Sequence, residues 1–193
     1  FSQIDAIADE YPFASSEIIG HSRCGRQIKA LSFGSQTEQV LFCGGFHGME
    51  YLTVMLLLRY AQTLCSALAG GNEICKIKIS RFLKRRGLII IPCINPDGTE
   101  ICINGSKSAG GYSTLIDSLG GGKGIWQANA AGVDINHNFD ADFYSLKLKE
   151  NAAGIFAPSP TRYGGERPES EPETRALTKL CRSRNLRHVA AFH

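Results

Sequence analysis

Apolar positions along the chain recur with two periods, and the switches between them mark out an alternation of helices and strands. Ile4, Ile7 and Ala8 share one helical face, which predicts a helix over 3–10 closed by Tyr11-Pro12. Residues 17–22 and 27–33 read as two strands joined by the turn Arg23-Cys24-Gly25-Arg26, and 39–43 as a third. A long helix is expected from Met49 to about Ala69, stopped by Gly70-Gly71. Ile74, Ile77, Ile79 and Leu83 predict a second helical segment, capped by Asn72 and running to about Arg86 with its basic residues near the end.

The run 88–94 is apolar without interruption, as in a strand buried on both faces. Asn95-Pro96-Asp97-Gly98 follows it as a turn. Residues 104–124 are rich in Gly and Ser and are expected to form a loop, as are 158–168, rich in Pro and Gly. Ser170-Glu-Pro-Glu173 has the spacing of a capping box, with Ser170 as N-cap and Glu173 at the third helical position. That helix runs to about Arg184, and a last strand over 186–192 leaves His193 at its carboxyl end. The fold class is therefore α/β: a mixed, mainly parallel sheet with helices on both faces, residues 1–193 forming one domain.

This order gives the chemistry a place. In open α/β sheets, ligands bind at the carboxyl ends of the strands. Gly44-Gly45-Phe46-His47-Gly48-Met49-Glu50, the Asn95 turn and His193 each fall just past a strand, so residues distant in sequence converge on one edge. Imidazole and carboxylate together are zinc-ligand types. Gly120-Gly-Gly-Lys-Gly124 is not a phosphate loop, because no Ser or Thr follows Lys123 and no strand precedes it.

Bulk properties remove several classes. The formal net charge of +3 is too small to indicate a nucleic-acid partner. No uninterrupted apolar run approaches the ~20 residues of a membrane span, so no membrane partner is expected. Seven cysteines, an odd number with no C-x-x-C pair, favour reduced thiols and a cytoplasmic setting. Phe1 in place of Met and an end at His193 suggest a piece of a longer chain, incomplete at the C-terminus.

Taken in order, five motifs resemble the zinc metallocarboxypeptidase family of the carboxypeptidase A and T type. They are Phe46-His47-Gly48-Met49-Glu50, Asn95-Pro96-Asp97-Gly98, Gly132-Val-Asp-Ile-Asn136, Tyr163-Gly164-Gly165 with Ser170-Glu-Pro-Glu173, and Ala191-Phe192-His193. Within the family the chain is most similar to the bacterial branch that includes γ-D-glutamyl-diaminopimelate peptidases. The resemblance implies one zinc ion per chain, held by His47, Glu50 and His193 with a fourth position left open. It implies that Asp134 accepts a hydrogen bond from His47 and fixes its tautomer. It places Asn136, His137 and Gln127 at the substrate.

Two of those positions depart from the family, which usually has Arg where this chain has His137 and commonly an Arg near Trp126, where it has Gln127. The clamp on a substrate carboxylate is therefore altered, and Arg162 is the candidate to supply the missing charge. The family's general base, a Glu well downstream of the third ligand, falls beyond residue 193, so the catalytic base is not assigned within the chain. By this comparison the chain is the N-terminal two-thirds of a catalytic domain and inactive by itself. The expected activity is zinc-dependent hydrolysis of a peptide or γ-glutamyl amide bond, with peptidoglycan-derived peptides as the narrower expectation. The alternatives are a zinc amide hydrolase of small acylated amino acids and a zinc-binding module without catalysis. Oligomeric state is not legible.

Overall fold

A computed structural model describes residues 2–122 and 125–193. Five strands form the main sheet: β1 (Ala14–His21), β2 (Gln27–Gly34), β3 (Gln39–Gly44), β6 (Gly87–Ile91) and β7 (Leu186–Phe192), in the order β1-β2-β6-β3-β7. The β1/β2 and β2/β6 pairs are antiparallel, whereas β6/β3 and β3/β7 are parallel. The sheet is mixed, with a parallel half that carries the motif-bearing strands.

All five residues of β6 are buried, because helices cover both faces. Side chains alternate across a strand. Leu88 and Ile90 therefore join Leu31 and Phe33 on one face, packed against Ile4 and Ile7 of α1 (Ser2–Glu10) and Leu57, Ala61 and Leu64 of α2 (Tyr51–Gly70). Ile89 and Ile91 join Ile28, Ala30 and Leu41 on the other, packed against Ala176, Leu177 and Leu180 of α7 (Pro172–Ser183). Burial of a large aliphatic side chain stabilises by roughly 1.5–3 kcal/mol, so this two-sided core sets the register of the strand.

The predicted helix over 72–86 is not one element. Gly71 takes a left-handed conformation (φ 67°) and ends α2. A hairpin of β4 (Glu73–Ile74) and β5 (Ile77–Lys78) follows, and only then α3 (Ile79–Arg85). Cys75 and Lys76 both have positive φ, 50° and 65°, the two-residue turn that matches strand twist. Ile74 and Ile77 face each other across the hairpin; their spacing imitates a helical stripe. Nor is 104–124 all loop. A 3-10 helix (Ser106–Tyr112) and α5 (Ser113–Ser118) occupy most of it, and Ile116 packs with Trp126 in a separate apolar cluster. Lys123 and Gly124, on which the phosphate-loop question turns, lie outside the described residues.

The Asn95 turn is the start of a helix, α4 (Pro96–Asn104): the Asn95 side chain accepts from Gly98 N at 2.8 Å and Pro96 takes the first helical position. At α7 the N-cap is Glu171, not Ser170, and the expected capping box does not form. Asn138 Oδ1 accepts from Glu171 N (3.0 Å), while Ser170 donates to the Glu171 carboxylate (2.9 Å). Tertiary partners have replaced the local ones. The remaining helices among the described residues are a short 3-10 turn (Ile135–His137) and α6 (Phe143–Ala152). Counted as a whole helix, α2 is long and apolar enough to match a bilayer's thickness, although no unbroken apolar run in it is; its Leu57, Ala61, Leu64 and Cys65 are buried in the core. Cys24, Cys43, Cys65, Cys75, Cys93 and Cys181 form no disulfide.

Candidate metal centre

β3 and β7 run parallel in register, with Gly44 opposite Phe192. The residues just past their carboxyl ends are thereby brought side by side, and these carry His47 and His193. The chain turns after β3 at Gly45 (φ 62°), where a Cβ would press on Val54 and the Cys93 backbone. This tight turn lets α2 begin immediately, with Glu50 as its N-cap residue. One Glu50 oxygen accepts from His47 N (3.0 Å). The other, Oε1, lies 2.7 Å from His47 Nδ1 and 3.1 Å from His193 Nδ1. The Phe46 ring stacks on His193, centroids 5.0 Å apart. One donor atom from each of His47, Glu50 and His193 falls within 4.8 Å of the others.

Behind His47 stands Asp134. It is 2% exposed, and its Oδ1 lies 3.2 Å from His47 Nε2. The carboxylate is fixed by backbone donors, Asn136 N on Oδ1 (3.2 Å) and Arg162 N on Oδ2 (3.0 Å). It thus serves both as a loop-forming Asp and as the partner of the imidazole. A neutral imidazole carries one proton; with that proton on Nε2 toward Asp134, Nδ1 presents its lone pair to the Glu50–His193 side.

The electrostatics call for a cation. Hydrogen bonds that the His47 ring donates to Asp134 and Glu50 raise its pKa to about 10 despite burial. Burial alone would raise the carboxyl groups of Glu50 and Asp134, yet hydrogen bonding to His47 leaves both below their ordinary range. Two half-buried or buried carboxylates thus stabilise positive charge between them. Two imidazole nitrogens and a carboxylate oxygen are a donor set suited to zinc, and the residues present fit the ion. His193, 39% exposed, marks the side open to solvent.

The other predicted residues lie differently. Asn136 is exposed. His137 Nδ1 is within bonding distance of the Arg162 carbonyl (2.8 Å) and Glu150 Oε1 (3.1 Å). The Gln127 side chain bonds Thr161 Oγ1 and reaches Met49 Sδ at 3.4 Å. Among the described residues none of these three side chains is hydrogen-bonded to the His47–Glu50–His193 group. Arg162 is exposed and contributes to the site through its backbone.

Two supporting groups stand outside the sequence motifs' expected roles. Asn95 Nδ2 donates to the carbonyls of Phe46 (3.0 Å) and Ala128 (3.1 Å), tying the His47 turn to the α4 start. Glu150, 3% exposed, accepts from Lys147 and from Gly164 N and faces His137. Asn95 is visible in sequence only as a turn residue, and Glu150 gives no signal within an otherwise ordinary helix.

An α/β sheet with two imidazoles and a carboxylate at the ends of adjacent parallel strands defines a metal-binding class of site at the sheet edge. The match to the zinc carboxypeptidase family model extends over residues 2–193, and the chain belongs to that family. It is 29% identical over 195 residues to γ-D-glutamyl-L-diamino acid endopeptidase 1 of Lysinibacillus sphaericus, covering 100% of this chain and 48% of that protein. The fold is similar to carboxypeptidase A from Helicoverpa armigera (TM-score 0.70, 21% identity, 98% of this chain and 43% of that one). It is also similar to murein-tripeptide amidase MpaA from Escherichia coli (TM-score 0.51, 24% identity, 93% and 61%). The chain spans about half the length of the curated relatives it matches.

Proposed function

We propose that the chain forms the metal-binding part of a zinc-dependent peptidase that hydrolyses a peptide or γ-glutamyl amide bond in cell-wall peptides. One observation carries the reading: His47 Nδ1, His193 Nδ1 and Glu50 Oε1 converge on one point at the sheet edge, with Asp134 seated on the far nitrogen of His47. The first three hold the metal, one ion per chain. Asp134 orients His47 through Nε2, and Glu50 anchors the turn through His47 N while presenting its other oxygen. Zinc, when bound, supplies a water of lowered pKa and a Lewis acid for the scissile carbonyl.

Among the described residues, Asp134 is the one carboxylate besides Glu50 that contacts the His47–Glu50–His193 group, and no general base is assigned. The buried acids other than Asp134 are engaged elsewhere: Glu171 with Arg23, Glu173 with the Arg23 backbone N–H and Asn129, Glu150 with Lys147 and His137, Asp97 with Arg26. The chain alone is therefore expected to bind metal without appreciable turnover. Asn136, His137 and Gln127 flank the substrate side. The cell-wall substrate is supported by the similarity to the Lysinibacillus endopeptidase.

Zinc content per folded chain tests the reading, measured for the parent and for His47→Ala. About one zinc in the parent, lost in the variant, is the expected result. A folded parent that takes up no zinc would remove the metal centre and with it the peptidase assignment. With the metal site in hand, cleavage of a γ-D-glutamyl-diamino acid peptide by the longer protein, but not of acylated single amino acids, separates the peptidase from an amide hydrolase.

A further inference from the structure

The low net charge of the chain averages over two unlike parts. Residues 73–86 hold six cations (Lys76, Lys78, Arg81, Lys84, Arg85 and Arg86) and one acid, Glu73. That excess is larger than the +3 of the whole chain, so the remainder is net acidic. Five of the six are exposed, and among the described residues no ion pair engages them; only Arg86 is paired, with Glu38. Glu73 stands opposite Lys78 across the β4–β5 hairpin.

The same surface carries apolar groups that the core does not use. Ile77 is 54% exposed and sits between Lys76 and Lys78, next to the hairpin turn. Phe13, 39% exposed, and Lys84 line one cavity of about 290 Å³ with Gly34, Leu68, Ser80 and Leu83. Cations around a projecting aliphatic side chain fit a surface that is anionic outside and apolar just beneath. The aliphatic Ile77 at the hairpin tip, flanked by Lys76 and Lys78, is a group that a bilayer can bury and a phosphate backbone cannot.

Its placement is coherent with the site. β6 begins at Gly87, directly after α3 and Arg86, level with Gln39 at the start of β3. The basic face therefore lies toward the amino ends of the parallel strands, whereas His47 and His193 follow their carboxyl ends. We propose that residues 73–86, with Phe13, form a docking face for anionic lipid bilayers that holds the metal-bearing edge away from the membrane. This inference does not depend on the peptidase reading.

The test is sedimentation of the chain with vesicles of phosphatidylcholine, with and without phosphatidylglycerol. Binding is expected only to the anionic vesicles and is expected to weaken with salt. Each surface cation contributes about fivefold, so Lys76→Ala/Lys78→Ala/Arg81→Ala should lower partitioning by about 100-fold. Ile77→Ser should lower it a few-fold. Lys84→Ala/Arg85→Ala is a second variant on α3, and circular dichroism like the parent's shows that each variant is folded. Equal binding to both vesicle types, or none to either, overturns the proposal. So does tight binding of a duplex oligonucleotide that Ile77→Ser leaves unchanged, with no vesicle binding, which would assign the face to nucleic acid.

Discussion

Asp134 Oδ1 lies 3.2 Å from Nε2 of His47, on the side of the ring opposite the Nδ1 that faces Glu50 and His193. The pair links a buried carboxylate, fixed by two backbone amides, to a group that must offer a lone pair in one direction. Carboxylates behind metal-bound imidazoles commonly contribute 10–100-fold to affinity. Asp134→Asn should therefore weaken zinc binding by about that factor in a competition with a chelator, while leaving one zinc per chain at saturation. An unchanged affinity would reduce Asp134 to a loop residue.

Gly48 separates His47 from the start of α2 with no room for a side chain. A Cβ there would collide with the carbonyl groups of Gly98 and Trp126. Both are backbone atoms, so relief requires moving the turn. Gly48→Ala is expected to cost ~2 kcal/mol, within the usual range for overpacking, and to displace His47 from Glu50. Urea denaturation reads the first effect and zinc titration the second. Parent-like values in both would mean that the turn relaxes freely.

Asn95 is fully buried and meets three segments at once. It caps α4 through Gly98 N and donates to the Phe46 and Ala128 carbonyls. Asn95→Ala removes the cap and leaves buried carbonyls without that donor. Together these losses should cost ~3 kcal/mol, measured as a lower denaturation midpoint. A cost below ~1 kcal/mol would show that another donor replaces it.

Patterning and chemistry separate what the sequence reveals from what it conceals. Strands over 27–33, 39–43 and 88–94 are legible because a short apolar run bounded by turn residues suits a buried strand better than a helix, and all three are central strands, although the last ends at Ile91, before Pro92. His47, Glu50 and His193 are legible as candidates because they stand at strand ends, which topology gathers on one edge. The hairpin at 73–78 is not, because Ile74, Ile77 and Ile79 satisfy a helical spacing equally well and only the left-handed Cys75 and Lys76 distinguish the two. The true cap of α7 is hidden for a different reason: the acceptor and donor that hold Glu171, Asn138 and Arg23, lie far away in the chain.

Glu173 makes the fold's pH dependence testable. It is fully buried, accepts from Arg23 N (3.0 Å) and, more weakly, from Asn129 Nδ2 (3.3 Å), and lies near Glu171 and Asp97. Burial pushes its pKa up to about 7, with the two neighbouring carboxylates adding to the effect. A carboxyl group whose pKa is raised by folding binds a proton in the native state before the unfolded one does. Its contribution is therefore fully present below the ordinary value of 4.5 and is lost as pH rises to about 7. Glu171 opposes this only at lower pH: its hydrogen bonds from Arg23, Asn129 and Ser170 outweigh burial and hold it below 4.5, so its stabilisation is lost in acid. Glu173→Gln removes the first dependence. The stability difference between variant and parent should shift in the variant's favour by up to ~3 kcal/mol from pH 4.5 to pH 7. Any constant cost of replacing the carboxyl cancels in that slope. Parallel stability curves across this interval would show that Glu173 stays ionised in the folded chain.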